Sequence, residues 1–310
     1  MVKKMKIYTI TLNPAYDVHA SAEDLSIGHE NLACVISRDI GGKGINISRA
    51  LAENQVDNTA IVVLGSDNAD DFKQSVTDYG INCIFIEKNG RIRENLTIHT
   101  ECGETRISFS GFSLDENVLG EIESLIEIDG DTIITFTGSV PRGISIEQCK
   151  EFLMRLKANG VRVVIDSKSF TLDDLIAVKP WLIKPNGEEI EAYSGREIKS
   201  FSDCKDIAAE LCRNGIENVM ISLGEQGAML VNSEGSFVAV PPVVDAVSTV
   251  GAGDSTIAGF ISAFSNGKNV DECLKVAVSF GSAACLREGT VPPRICDVEE
   301  ILRAVKIFLL

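Results

Sequence analysis

Histidine is scarce in this chain: only His19, His29 and His99 occur, with no metal-type spacing, which argues against a zinc site. The nine cysteines include no C-x-x-C pair and their number is odd. Scattered thiols in a chain of 310 residues read as reduced, buried cytosolic cysteines rather than a disulfide framework. No stretch approaches the ~20 apolar residues of a membrane span. The start, MVKKMKIYTITLNP, lacks the long apolar core and small-residue cleavage site of a signal peptide, and Ile7–Leu12 reads instead as a first buried strand. Positive charge is outnumbered, with 29 Lys and Arg against 45 Asp and Glu and a net charge of −16. Such a surface repels phosphate backbones, which argues against a nucleic-acid partner. Small phosphorylated substrates are not excluded, because local cations and helix N-termini can meet them. The expectation is a soluble cytoplasmic protein that handles small molecules and neither nucleic acid nor membrane.

What the chain does have is 45% hydrophobic residues, few of them aromatic, a composition suited to a buried, mostly parallel sheet. Ile61–Gly65, Thr132–Thr137, Val161–Asp166, Trp181–Lys184 and Asn218–Leu223 read as buried strands. Lys43–Asn54, Ile146–Asn159 and Ser202–Asn214 read as helices between them. The rhythm predicts an α/β fold with a mostly parallel central sheet flanked by helices. Ala228–Asn232 and Ser236–Val240 read as a hairpin, and Asp254–Ser265, Val270–Leu286 and Val298–Phe308 as helices. Two segments, about 18–37 and 93–109, break the rhythm with short alternating runs. They predict a small β-sheet lid made by insertions into one domain spanning residues 1–310.

Chemistry concentrates in five places. Ser248-Thr-Val-Gly-Ala-Gly-Asp-Ser-Thr256 places a Gly-Ala-Gly turn ahead of an apolar helix. Small residues there let a phosphate approach backbone amides at the positive end of the helix dipole, and Asp254 on the first turn can take a proton from a hydroxyl. Gly-Gly-Asp before a helix is also an ordinary N-cap. Gly41-Gly-Lys-Gly-Ile-Asn46 repeats the design and offers Lys43 and Asn46 to a ligand, or is a glycine-rich entry to a core helix. In Lys184-Pro-Asn-Gly-Glu-Glu-Ile-Glu, Asn186 and Glu189 share a helical face and can hold a hydrated Mg²⁺ through its waters, or are a helix start with dipole-favoured acids. Asp17, in Thr11-Leu-Asn-Pro-Ala-Tyr-Asp17, is expected just past the first strand, where open α/β sheets bind ligands. Ser222-Leu-Gly-Glu-Gln-Gly-Ala228 can let a nucleotide lie against the backbone, or make a plain turn. A Walker A motif and a dinucleotide Gly-x-Gly-x-x-Gly fingerprint are both missing, which excludes a P-loop and argues against a dehydrogenase.

In this order the motifs resemble the ribokinase-like (PfkB) carbohydrate kinase family over about Ile7 to Ile301. The Thr-Leu-Asn-Pro-Ala-x-Asp opening and Gly-Gly-Lys-Gly-Ile-Asn are similar to the branch of 1-phosphofructokinases, tagatose-6-phosphate kinases and the minor 6-phosphofructokinase. The resemblance implies ATP and Mg²⁺, a sugar-phosphate acceptor, and a lid that closes over the sugar and forms a homodimer interface. It implies that Asp254 is the catalytic base and that Gly251, Ala252 and Gly253 form the anion hole. Asp17, Gly42, Lys43, Asn46, Arg93, Asn95 and Ser139 match substrate positions. Lys184, Asn186 and Glu189 match nucleotide and Mg²⁺ positions, with Ser222, Gly224, Gly227 and Gly253 on the ATP side. Some members bind K⁺ through backbone carbonyls, which here would be those of Ser248, Val250, Ala284, Arg287 and Gly289.

The chain departs from the branch in its second lid strand. Thr105-Arg-Ile-Ser108 stands where Thr-Glu-Ile-Asn is frequent, so position 106 changes charge and position 108 loses an amide; both are expected to face the sugar. Arg142 also stands where a neutral residue is common. The expected reaction is transfer of the γ-phosphoryl group of ATP to a ketohexose monophosphate. Fructose 1-phosphate comes first, tagatose 6-phosphate second and fructose 6-phosphate third. A catalytically silent sugar-phosphate sensor on the same fold is the reading from a different class.

Overall fold

The computed structural model describes residues 5–310; the basic start at residues 1–4 lies outside it. The first strand, β1 (Lys6–Thr11), is buried from Ile7 onward. After Pro14 the chain enters β2 (Ala15–Ala22) and β3 (Ala33–Gly41), then α1 (Lys43–Glu53). Gly44 lets α1 sit directly on β1: a Cβ there would lie 2.4 Å from Thr11 Oγ1 and 2.6 Å from the Ile10 carbonyl oxygen. Next come β4 (Thr59–Gly65), α2 (Ala69–Asp78), β5 (Cys83–Lys88), β6 (Arg93–Thr100), β7 (Gly103–Ile107) and α3 (Asn117–Leu125). The βα rhythm continues with β8 (Thr132–Thr137), α4 (Ile146–Ala158), β9 (Arg162–Asp166), α5 (Leu172–Val178) and β10 (Leu182–Ile183). It goes on through α6 (Gly187–Ser194), α7 (Phe201–Arg213), β11 (Asn218–Ser222), β12 (Ala228–Asn232) and β13 (Gly235–Val240). The chain ends with α8 (Ala252–Ser265), α9 (Val270–Ala284), α10 (Ile295–Ala304) and β14 (Lys306–Leu309). Reciprocal side-chain capping at Ser145 and Gln148, and at Thr171 and Asp174, sets where α4 and α5 begin.

Ten strands form one sheet in the order β14-β13-β12-β11-β10-β9-β8-β1-β4-β5. It is parallel from β5 to β11 and antiparallel from β11 to β14. The sheet is an α/β core with helices on both faces, as expected. Phe136, Phe152 and Phe170 pack on one side, and Trp181, Phe260 and the α8–α9 pair on the other. Among the described residues no helix is long and apolar enough to cross a membrane.

A second sheet, ordered β3-β2-β6-β7, is the inserted lid. It is larger than expected, because β2 begins at Ala15 and β3 runs to Gly41. The expected C-terminal helix Val298–Phe308 is also corrected. Helix α10 ends at Ala304, and Lys306–Leu309 instead pairs antiparallel with β13, covering what would be an open sheet edge. All nine cysteines are free, but Cys34, Cys102 and Cys296 are exposed rather than buried.

Candidate active site

A cavity of about 480 Å³ lies between the lid and the carboxyl ends of β1, β8 and β9, beside the N-termini of α1, α6 and α8. This is where an open α/β sheet binds ligands. Asp254 is buried on the first turn of α8, behind the left-handed N-cap Gly251 (φ 79°). Its Oδ2 accepts from Asn46 Nδ2 at 2.9 Å. Among the described residues Oδ1 has no partner, and the Gly253 and Asp254 amides have no acceptor. The helix therefore presents a proton acceptor and two unmet N–H donors at its positive end. Burial pushes the Asp254 carboxyl up to about 6; Asp166 adds to the rise, while Lys43, the Asn46 hydrogen bond and Lys184 oppose it.

Asp166 was not singled out from the sequence. It ends β9 and is buried, with its Oδ2 2.7 Å from Lys43 Nζ. Burial disfavours its charge, but Lys184 and Lys43 hold it below the ordinary carboxylate range. Lys43 likewise stays above its ordinary value: burial works against it, and Asp166 and Asp254 outweigh burial. Two acids and two cations are thus arranged so that Asp166 stays charged while Asp254 sits near neutrality. Such a separation is what a proton-transfer site requires. Lys184 is 5% exposed, and a Cβ at Gly253 would lie 3.1 Å from its Nζ, so the glycine makes room for the ammonium beside the α8 amides.

The lid contributes the opposite wall. Asp17 lies inside β2, paired with Asp39 and Asn95, and not just past the end of β1; Pro14 turns the chain straight into the lid. Its Oδ1 accepts from Asn95 Nδ2 at 2.9 Å and Arg106 Nη2 at 3.2 Å. A Cβ at Gly41 would sit 2.2 Å from Asp17 Oδ2, so the glycine leaves room for the carboxylate in this position. Arg93 places Nη1 on the Phe109 carbonyl and Nη2 on the Asn13 carbonyl, both at 3.3 Å. Asn13, also missed from the sequence, donates to Ser139 Oγ at 2.8 Å and so ties the end of β1 to the Gly-Ser turn after β8. Among the described residues, buried polar atoms of Thr11, Asn13, Asn46, Arg93, Asn95 and Thr137 find no protein partner, and all six residues line this cavity. Unmet donors and acceptors on both the lid and the core side of one cavity suit a ligand rich in hydroxyls.

At the other end, Asn186 and Glu189 are a capping pair. Glu189 N donates to Asn186 Oδ1 at 2.8 Å, and Asn186 N to Glu189 Oε2 at 3.0 Å. Glu189 Oε1 remains towards the cavity, 3.6 Å from Lys168 Nζ. Ser222 lines the cavity and bridges to Asn186. Gly224 and Gly227 do not line it. They shape the turn into β12, where a Cβ at Gly227 would lie 2.0 Å from the Ala239 carbonyl oxygen. Gly42, Val250 and Gly251 line the cavity, while Ala252 lies in the helix behind it. Ser248, Ala284, Arg287 and Gly289 lie off the wall, Ala284 as the last residue of α9 and the others in two loops that pack together: the Val247 and Ser248 amides both donate to the Cys285 carbonyl, and a Cβ at Gly251 would lie 3.4 Å from Thr290. The Ala284 carbonyl already accepts from Arg287 N at 3.0 Å. Arg106 faces the cavity as expected, but Ser108 is exposed and does not. Arg142 hydrogen-bonds the Gly111 carbonyl outside the cavity.

The family model of pfkB family carbohydrate kinases matches residues 14–295. The chain belongs to that family. It is a sugar kinase, and the cavity lies where its motifs converge. It is 34% identical over 308 residues to a 1-phosphofructokinase of Haemophilus influenzae, covering 98% of each chain. It is 35% identical over 285 residues to that of Escherichia coli, covering 90% of each. Among solved structures it is similar to phosphofructokinase-2 from Escherichia coli. That protein in complex with substrates and products gives a TM-score of 0.90 at 30% identity, over 96% of this chain and 98% of that one. In complex with potassium it gives 0.89 at 29% identity, over the same shares.

Proposed function

We propose that this pfkB-family kinase transfers the γ-phosphoryl group of ATP to the free primary hydroxyl of fructose 1-phosphate, giving fructose 1,6-bisphosphate and ADP. The observation that carries the reading is Asp254, a buried carboxylate with one unpartnered oxygen. It stands between amides that lack acceptors and a lid wall carrying Arg93 and Asn95. The 1-phosphofructokinase relatives support the choice of acceptor.

Asp254 takes the hydroxyl proton as the oxygen attacks, a role worth about 10²–10⁴-fold. The Gly253 and Asp254 amides and Lys184 meet the negative charge on the transferred group; one such donor is worth about 3 kcal/mol. Asp17, Lys43 and Asn46 orient the sugar, and Arg93, Asn95 and Ser139 face its phosphate. Lys184, Asn186 and Ser222 line the nucleotide end. The oxygen donor Glu189 Oε1 fits a hydrated Mg²⁺, which when bound neutralises charge on the phosphates. The loop 247–251, packed on the end of α9 and the loop 285–290, supports a K⁺ site of backbone carbonyls. Exchange of KCl for tetramethylammonium chloride tests it: lower turnover is expected, and equal turnover contradicts it.

The lid exposes Leu32, Val35 and Ile36 on one strand region and Ile107 and Phe109 on another. We propose that a second copy covers them, making a cytoplasmic homodimer. Light scattering that gives a monomer at micromolar concentration would contradict this. The function itself is tested by ADP release with fructose 1-phosphate, tagatose 6-phosphate, fructose 6-phosphate, ribose and adenosine. The highest kcat/KM is expected with fructose 1-phosphate. Turnover on none would favour a silent sensor.

A further inference from the structure

Arg106 stands on β7, opposite Thr97 of β6. Its Nη2 donates to Asp17 Oδ1 at 3.2 Å, and among the described residues it has no other hydrogen-bond partner. One of five guanidinium N–H groups is used, and the half-exposed side chain lines the cavity with the rest. Arg93 enters the same wall from β6. It has only the two carbonyl contacts and a buried Nε without a partner, and among the described residues no carboxylate lies within ion-pair distance of it. Burial disfavours the charge on Arg93; Asp17 favours it and Arg106 opposes it. Two cations therefore share one anion, and the lid wall keeps a surplus positive charge and free N–H donors. An acid at position 106, as in the Thr-Glu-Ile-Asn pattern, would give the same wall a surplus of negative charge.

We infer that Arg106 is a specificity-determining residue, which joins Arg93 in clamping the phosphate the acceptor already carries while another of its N–H groups stays on Asp17. The inference rests on the reading of the acceptor as a sugar phosphate. A dianion between two guanidiniums takes bidentate, charge-assisted hydrogen bonds that a neutral sugar cannot take. The alternative role for Arg106 is to hold Asp17 in place and nothing more.

A double-mutant cycle separates the two. kcat/KM for fructose 1-phosphate is measured, at saturating ATP, in the wild type, Arg106→Gln, Asp17→Asn and the double variant. The clamp predicts that Arg106→Gln lowers kcat/KM by about 10- to 100-fold, the range of one charge-assisted contact, in both backgrounds. It also predicts partial recovery with Arg106→Lys, which keeps the charge and loses the fork. A loss below about threefold in the Asp17→Asn background overturns the clamp, since the arginine would then act only through Asp17. A loss below about threefold in both backgrounds overturns any role in specificity. A wild type inactive on every sugar phosphate is a different result and sinks the functional reading itself. Melting curves of each variant report folding independently, and Arg106 is on an edge strand with no buried residue.

Discussion

Replacing Asp254 by Asn should cost activity and raise stability together. The carboxyl is raised from 3.8 to about 6, chiefly by burial. The folded protein thus binds this proton more tightly than the unfolded chain does, so ionisation costs the folded state. The penalty is absent below about pH 3.8, grows between there and about pH 6, and is complete above. At about 1.36 kcal/mol per pH unit it amounts to about 3 kcal/mol. The introduced carboxamide carries no charge and can still accept from Asn46 through its oxygen. At pH 8 the variant should therefore melt about 6 °C higher, taking roughly 2 °C per kcal/mol for a chain of this size. The gain should shrink as pH falls through about 6 and vanish near pH 4. Turnover should fall by about 10²–10⁴-fold. Scanning calorimetry across pH and a steady-state assay read the two effects. A variant that melts lower than wild type at pH 8, or that keeps wild-type turnover, refutes the reasoning.

Other expectations follow from the same geometry. In the wild type, kcat/KM should rise with pH through about 6 as Asp254 ionises; a flat profile between pH 5 and 8 contradicts its role as base. Asp166→Asn removes a negative charge that raises Asp254, so the acid limb of that profile should move to lower pH; movement upward would contradict the coupling. Gly44→Ala forces a Cβ against the Ile10 carbonyl and Thr11 Oγ1, and should cost about 1–3 kcal/mol as overpacking does. Urea titration measures that cost, and an unchanged midpoint would mean α1 can lift from β1 freely.

Much of this site was legible because its parts are local. Gly251, Gly253 and Asp254 form one turn, and glycine before an acid at a helix start has a direct backbone meaning. Asp166 was missed because it reads as the last residue of an apolar strand. Its role depends on Lys43, 123 positions away, and the available signal was an ionisable residue closing Arg-Val-Val-Ile at the carboxyl end of a parallel strand. Gly227 shows the converse: glycine marks a tight turn equally well, and the closeness of the Ala239 carbonyl that requires it there is a tertiary fact. Asp17, expected just past β1, falls within a lid strand because β2 begins immediately after Pro14. The last strand reads as helix because Ile307 and Phe308 continue the apolar pattern of α10, and the open edge of β13 that recruits them is a tertiary fact.

The most direct test is phosphorus NMR of wild-type protein incubated with ATP, Mg²⁺ and fructose 1-phosphate. The account predicts that the ATP γ signal is lost as ADP appears, and that a second phosphomonoester resonance grows in equal amount beside the original one, marking fructose 1,6-bisphosphate. ADP with inorganic phosphate and no second ester, or no consumption of ATP at all, would contradict it.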